Sequence, residues 1–229
     1  MNIKILGTRG EIEESAAYHS HRSGVLIDNK ILLDCGEKEF LSYHPSSVLL
    51  THLHPDHAYF VRHHEEVPAN ISFYAPEPYD KATIHQTDRP FMVETYTIIP
   101  IPTVHSITVQ SNAYIVEHAG KRLLYTGDMI WINKEYHSII GQVDLVITEA
   151  SHMRVGGLVR SKKGVGIYGH TGVPNLVQLL KQFSSTILFV HFGAWFYHDI
   201  AQARHQFAAL AQENNVQIIV GYDGLELTI

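Results

Sequence analysis

The front half of the chain alternates short apolar runs with turn-forming residues. Segments 3–7, 24–27, 31–34, 47–51, 71–75 and 96–101 are short and rich in β-branched and aromatic residues, which predicts strands. Asp28-Asn29-Lys30 predicts a hairpin turn between two of them. His118-Ala119-Gly120-Lys121 predicts another, between strands at 113–117 and 122–126. The back half changes period. Over 174–183, a proline in the first turn and Leu176, Val177, Leu179 and Leu180 at helical spacing predict a helix. A buried strand at 187–190, a helix over 199–214 capped by Asp199, and a strand at 217–220 follow. Strands first and mixed elements later predict two sheets with helices outside. Segment 149–168 fits neither period. It carries Arg154, Arg160, Lys162 and Lys163 among several glycines, and reads as a solvated loop or as a flap bringing positive charge to an anionic substrate.

The 229 residues read as one domain, 1–229, because a chain of this length buries roughly 70–75% of its unfolded surface without help from disulfides. Hydrophobic residues at 45% and charged residues at 17% exclude a disordered chain. Cys35 is the single cysteine, which excludes an intrachain disulfide framework and points to a reducing, cytoplasmic setting. The opening residues lack a signal-peptide pattern, and no apolar run reaches the roughly 18 residues a membrane helix needs. Seventeen Lys and Arg against 23 Asp and Glu leave a net charge of −6, which argues against an extended nucleic-acid surface. Histidine is the anomaly. There are 17, as many as Lys and Arg together, and an excess of imidazole points to metal.

Thr51-His52-Leu53-His54-Pro55-Asp56-His57 follows the apolar run Val48-Leu49-Leu50. Residues two apart on an extended chain point the same way, so His52 and His54 converge on one ion. Pro55 stops the strand, leaving Asp56 and His57 in the turn to face a second ion. Burying three imidazoles and a carboxylate unpaired would be costly, so packing does not explain the cluster. Further ligand types stand at predicted strand ends: His105, Asp128 after Thr126-Gly127, and His191.

The order His52-x-His54-x-Asp56-His57, His105, Asp128, His191 resembles the motifs of the metallo-β-lactamase fold hydrolases over nearly the whole chain. The resemblance implies an α+β, four-layer αββα sandwich. It implies one ion on His52, His54 and His105, a second on Asp56, His57 and His191, and Asp128 bridging both. All-nitrogen and oxygen ligation suits zinc, with manganese or iron also compatible. The lactamase branch proper usually carries cysteine where Asp128 stands. Asp34-Cys35-Gly36-Glu37 and Gly169-His170-Thr171 instead resemble ribonuclease Z and its phosphodiesterase relatives. That branch implies His170 as a catalytic residue paired with Asp56, protonating the leaving oxygen with a pKa near neutrality.

Only 22 residues separate His105 from Asp128, so the long arm that tRNA-processing members place there does not fit. Lys38-Glu39-Phe40 also departs from the usual Gly-Thr pair. The expectation is therefore a small phosphodiesterase acting on a cyclic or short anionic phosphate ester through water activated between two metals. Thioester or lactone hydrolysis, redox use of iron, and a non-catalytic metal-binding sensor are the competing readings. Many members dimerise, which makes a homodimer an expectation without an assignable surface. Asp34, Glu149 and Asp223 are candidate supports for the ligands. Trp195-Phe196-Tyr197 reads as core cover beside the site, Tyr18-His19-Ser20-His21 as a loop, Cys35 as buried, and His63-His64 as the end of a short helix.

Overall fold

The computed structural model describes residues 1–229. The first half builds strands β1 (Asn2–Gly7), β2 (Gly24–Ile27), β3 (Ile31–Leu33), β4 (Ser47–Leu49), β5 (Ser72–Ala75) and β6 (Ile84–Gln86). A 3-10 turn spans Lys38–Tyr43, and helix α1 (Tyr59–His63) ends in the His63-His64 pair, as its sequence position implies. Next come β7 (Phe91–Val93), β8 (Tyr96–Val104), β9 (Asn112–His118), β10 (Lys121–Tyr125), β11 (Trp131–Ile132), helix α2 (His137–Ile140) and β12 (Leu145–Ala150). A hairpin of β13 (Leu158–Lys162) and β14 (Gly166–His170) leads to α3 (Val173–Leu180), β15 (Thr186–Phe192), α4 (Ala194–His198), α5 (Ile200–Asn214), β16 (Gln217–Val220) and β17 (Glu226–Thr228).

Two sheets face each other. One runs β17-β1-β2-β3-β4-β5-β6; the other runs β11-β8-β9-β10-β12-β15-β16, with β7 beside β8. Side chains alternate between the faces of each strand, and here both faces are covered, which is why the strands read as unbroken apolar runs. In β2 and β3, Val25, Ile27, Ile31 and Leu33 enter the core between the sheets, while Leu26 and Leu32 join the outer cluster with Phe40 and Phe60. In β12 and β15, Leu145, Ile147, Leu188 and Val190 face inward, and Val146, Ile187 and Phe189 face the helices. Fully buried Leu176, Val177 and Leu180 of α3 and Phe207 of α5 cover that outer face. Each contributes about 1.5–3 kcal/mol of burial. Asp199 Oδ1 accepts from Gln202 N at 2.9 Å and caps α5, worth about 1 kcal/mol. The architecture is the expected αββα sandwich, with a thin outer layer of one short helix and a 3-10 turn over the first sheet.

The basic segment is more ordered than its composition implies. β12 runs through Ala150, and β13 and β14 pair antiparallel as a separate two-stranded sheet, Leu158 opposite His170 and Lys162 opposite Gly166. No helix is long and apolar enough to cross a membrane.

Candidate metal centre

Every sequence-predicted ligand sits at or just past a strand end on one edge of the sandwich. His52, His54, Asp56 and His57 follow β4 of the first sheet. His105, Asp128 and His191 come from the ends of β8, β10 and β15 in the second. All are buried except His54, which is half-buried. Their ligand atoms form two groups: His52, His54 and His105 in one, and Asp56, His57, Asp128 and His191 in the other, with atoms within 4.8 Å of one another in each. Asp128 joins them. Its Oδ1 lies 3.4 Å from His57 Nε2, and its Oδ2 lies 4.0 Å from both His52 Nε2 and His105 Nε2.

Outer contacts fix the imidazole orientations. The fully buried Asp34 carboxylate, just past β3, accepts from His57 Nδ1 at 2.7 Å, from Thr51 N at 2.7 Å and from Tyr125 Oη at 2.8 Å. Thr51 Oγ1 donates to the same carboxylate and accepts from His52 Nδ1 at 3.0 Å. His105 Nδ1 donates to Gly169 O at 3.1 Å. His52 and His105 therefore present bare Nε2 lone pairs inward, as metal-binding histidines do. These atoms lie 3.0 and 3.3 Å from His54 Nδ1. Only His54 has an N–H left to offer, so at most one of the two contacts is a hydrogen bond; a cation satisfies all three nitrogens at once.

The second group fits a cation for a different reason. His57 Nε2 and Asp128 Oδ1 are buried and have no hydrogen-bond partner in the protein, an arrangement that costs about 1–3 kcal/mol per group unless something else satisfies it. His191 Nε2 donates to Asp56 Oδ2 at 2.9 Å, and Ser151 Oγ lies 3.1 Å from its Nδ1. Burial, reinforced by neighbouring imidazoles, lowers His52 well below its ordinary pKa and His54 to about 4. His57 behaves oppositely: burial disfavours its charge, but Asp128, Asp34 and Asp56 together outweigh burial and raise its pKa. The same carboxylates favour a metal cation.

His170 stands at the end of β14, facing the ligands. It is not paired with Asp56, whose carboxylate is engaged by His191. Its Nδ1 donates instead to Glu149 Oε2 at 2.8 Å, and Glu149 Oε1 accepts from Met129 N at 2.7 Å. Burial pulls the His170 pKa down, but the Glu149 charge and hydrogen bond outweigh it and raise it to about 9, above the neutrality expected of a loop imidazole. Of the three candidate supports, Asp34 and Glu149 hold site histidines. Asp223 does not; it binds Thr8 Oγ1 at 2.7 Å and the backbone of Ser20 and His21, bracing the loop after β1. His19 in that loop is buried edge-on against Phe192 and Phe196 and takes no part in the site.

A cavity of about 330 Å³ opens over both groups, with Gly10, Ile12, Ser151, His152, His170 and Trp195 in its walls. Ser151 and His152 are not picked out by motif spacing; their signal is the one shared by the ligands, position directly after a buried strand. Trp195 lines the cavity, while Phe196 stacks on Phe192 in the core at 3.9 Å.

No protein-family model and no curated protein matches the sequence. Solved structures do match. The metallo-β-lactamase fold protein YhfI from Bacillus subtilis aligns with TM-score 0.71 at 16% identity over 99% of this chain and 98% of its own. A diphosphatase of the PhnP family aligns at 0.66 and 15% over 100% and 97%. Human tRNase Z, short form, aligns at 0.66 and 15% over 100% and 99%.

Proposed function

We propose that this chain, which has the metallo-β-lactamase fold, is a dinuclear metal-dependent hydrolase of small or cyclic phosphodiesters. One observation carries the phosphodiester reading. His170 is fixed by buried Glu149 on the rim of the cavity, beside the Asp128 that links both ligand groups, with Nδ1–H committed to Glu149 and Nε2 left to the cavity. Expulsion of a thiolate from a thioester has no need of such a group, whereas expulsion of an alkoxide from phosphorus does. The kinship in fold with a PhnP-family diphosphatase and with tRNase Z supports the same chemistry.

His52, His54 and His105 would hold one ion, and Asp56, His57 and His191 the other, with Asp128 between them; the all-nitrogen and oxygen donor set suits zinc. When bound, two such ions supply Lewis acidity toward the phosphoryl oxygens and bring the pKa of water down toward neutrality. The chain does the rest. Asp34 and Thr51 lock His57 and His52 in the tautomers that present Nε2, Gly169 O does so for His105, and the cavity leaves room for an ester over the centre. Glu149 keeps a proton on His170 Nδ1, so the ring delivers its Nε2 proton to the departing oxygen and recovers it from water.

The test is a panel of chromogenic phosphodiester, thioester and lactone substrates offered to zinc-reloaded protein, with metal content measured in parallel. Phosphodiester turnover that disappears with both metals in Asp128→Ala is the expected result. Thioester or lactone hydrolysis without phosphodiester turnover, or full activity in Asp128→Ala, overturns the reading.

A further inference from the structure

We infer that the β13–β14 hairpin is a binding arm for a second phosphate, lying beyond the ester cleaved at the metal centre. This rests on the phosphodiesterase reading and narrows it to substrates carrying consecutive phosphates. The hairpin and its root, residues 151–170, hold Arg154, Arg160, Lys162 and Lys163 and no Asp or Glu, in a chain whose net charge is −6. Arg160, Lys162 and Lys163 are exposed, and none is paired with a carboxylate, although basic side chains elsewhere, such as Lys30, Lys121 and Arg122, are. Positive charge is therefore concentrated and left free in one place.

That place is continuous with the site. Gly169 N donates to His105 O at 2.7 Å and His105 Nδ1 returns a bond to Gly169 O, so the arm is tied to a candidate ligand. The arm ends in His170, and the residues just before it, Ser151 and His152, line the cavity. The register sets the reach. Leu158 lies opposite His170, Arg160 opposite Tyr168 and Lys162 opposite Gly166. At about 3.3 Å per residue, Arg160 stands about 7 Å and Lys162 about 13 Å along the arm from His170. Alternation puts Leu158, Arg160 and Lys162 on one face, so the two cations form a row leading away from the centre. The half-buried Tyr168 lies directly opposite Arg160 and adds an aromatic surface next to the charges, the combination that holds short single strands. A run of phosphates, whether in an oligonucleotide or in a condensed phosphate, matches this row; a lone phosphodiester reaches only its root.

The experiment uses the zinc-loaded full chain in a His170→Ala background, which slows turnover, and fluorescence anisotropy of a labelled single-stranded pentathymidylate. Arg160→Ala with Lys162→Ala is compared with Lys81→Ala with Lys181→Ala, which removes equal charge far from the arm. The arm variant is expected to weaken binding about tenfold or more and to flatten the dependence of log Kd on log salt by about 1.4, for two cations on a single strand. The distant pair is expected to bind like its parent. Displacement of the probe by tripolyphosphate assigns the arm to any run of phosphates; failure of tripolyphosphate to compete, with the arm effect intact, assigns it to nucleotides. Equal weakening in both double variants, no weakening in either, or competition by pentaglutamate as strong as by tripolyphosphate overturns the inference. Failure of the phosphodiesterase reading appears separately, in the substrate panel.

Discussion

Asp34 Oδ2 accepts the Nδ1 proton of His57 at 2.7 Å, and Asp34 keeps that position with a left-handed backbone, φ +57°. Such a conformation is uncommon outside glycine and costs of order 1–3 kcal/mol, sustained here by the bonds to Thr51 and Tyr125. Asp34→Ala is expected to weaken metal binding roughly 10–100-fold, the usual effect of losing an outer partner of a ligating histidine. Competition with a chromogenic chelator measures it; an affinity within a factor of about two of the parent would remove Asp34 from the centre.

If His170 protonates the leaving oxygen, its value depends on the leaving group. His170→Ala is expected to slow esters with alkoxide leaving groups about 10²–10⁴-fold, and to spare p-nitrophenyl esters, whose anion departs unaided. Glu149→Gln follows the same pattern more weakly, with metal content unchanged. Equal losses on both ester types would contradict the assignment.

Gly169 sits at φ +121°, where a Cβ would lie 2.0 Å from Leu158 O. Gly169→Ala must shift the β13–β14 pairing and with it His170. Turnover is expected to fall up to about 10²-fold, the scale of a ~1 Å misplacement. The thermal midpoint moves by no more than about 2–4 °C, because the hairpin lies outside the three apolar clusters. A variant with parental kinetics would show that the hairpin does not position His170.

His19 gives a pH dependence from a residue outside the candidate ligand set. Burial lowers its pKa to about 4, with Asp223 opposing and Arg204 assisting, against about 6.5 in the unfolded chain. Between these values the unfolded chain binds the proton and the folded one does not, so stability falls as pH drops from about 6.5 toward 4. Urea denaturation across this range should show a shallower decline in His19→Gln than in the parent; parallel curves would refute the assignment.

Much of this molecule is legible in the sequence because its strands are covered on both faces. The runs at 24–27 and 217–220 coincide with β2 and β16 residue for residue. The seven candidate ligand positions are marked in the sequence too, since each stands at or just past the end of a strand. The hairpin is not: every residue of β13 but Leu158 is exposed, so no burial period marks it, and Gly164, Gly166 and Gly169 imitate a loop. The partner of His170 is hidden for another reason. Glu149 reaches Met129 N and His170 only because β12 lies parallel to β10, Val146 opposite Leu124, and that adjacency leaves no trace in local spacing.

The ligands are divided between the two sheets, four from the turn after β4 and three from the far ends of β8, β10 and β15. Neither sheet carries a complete group of candidate ligands. A metal held here would therefore require the two sheets to be docked in register, because a chain whose sheets lie out of alignment offers only partial sets of these side chains.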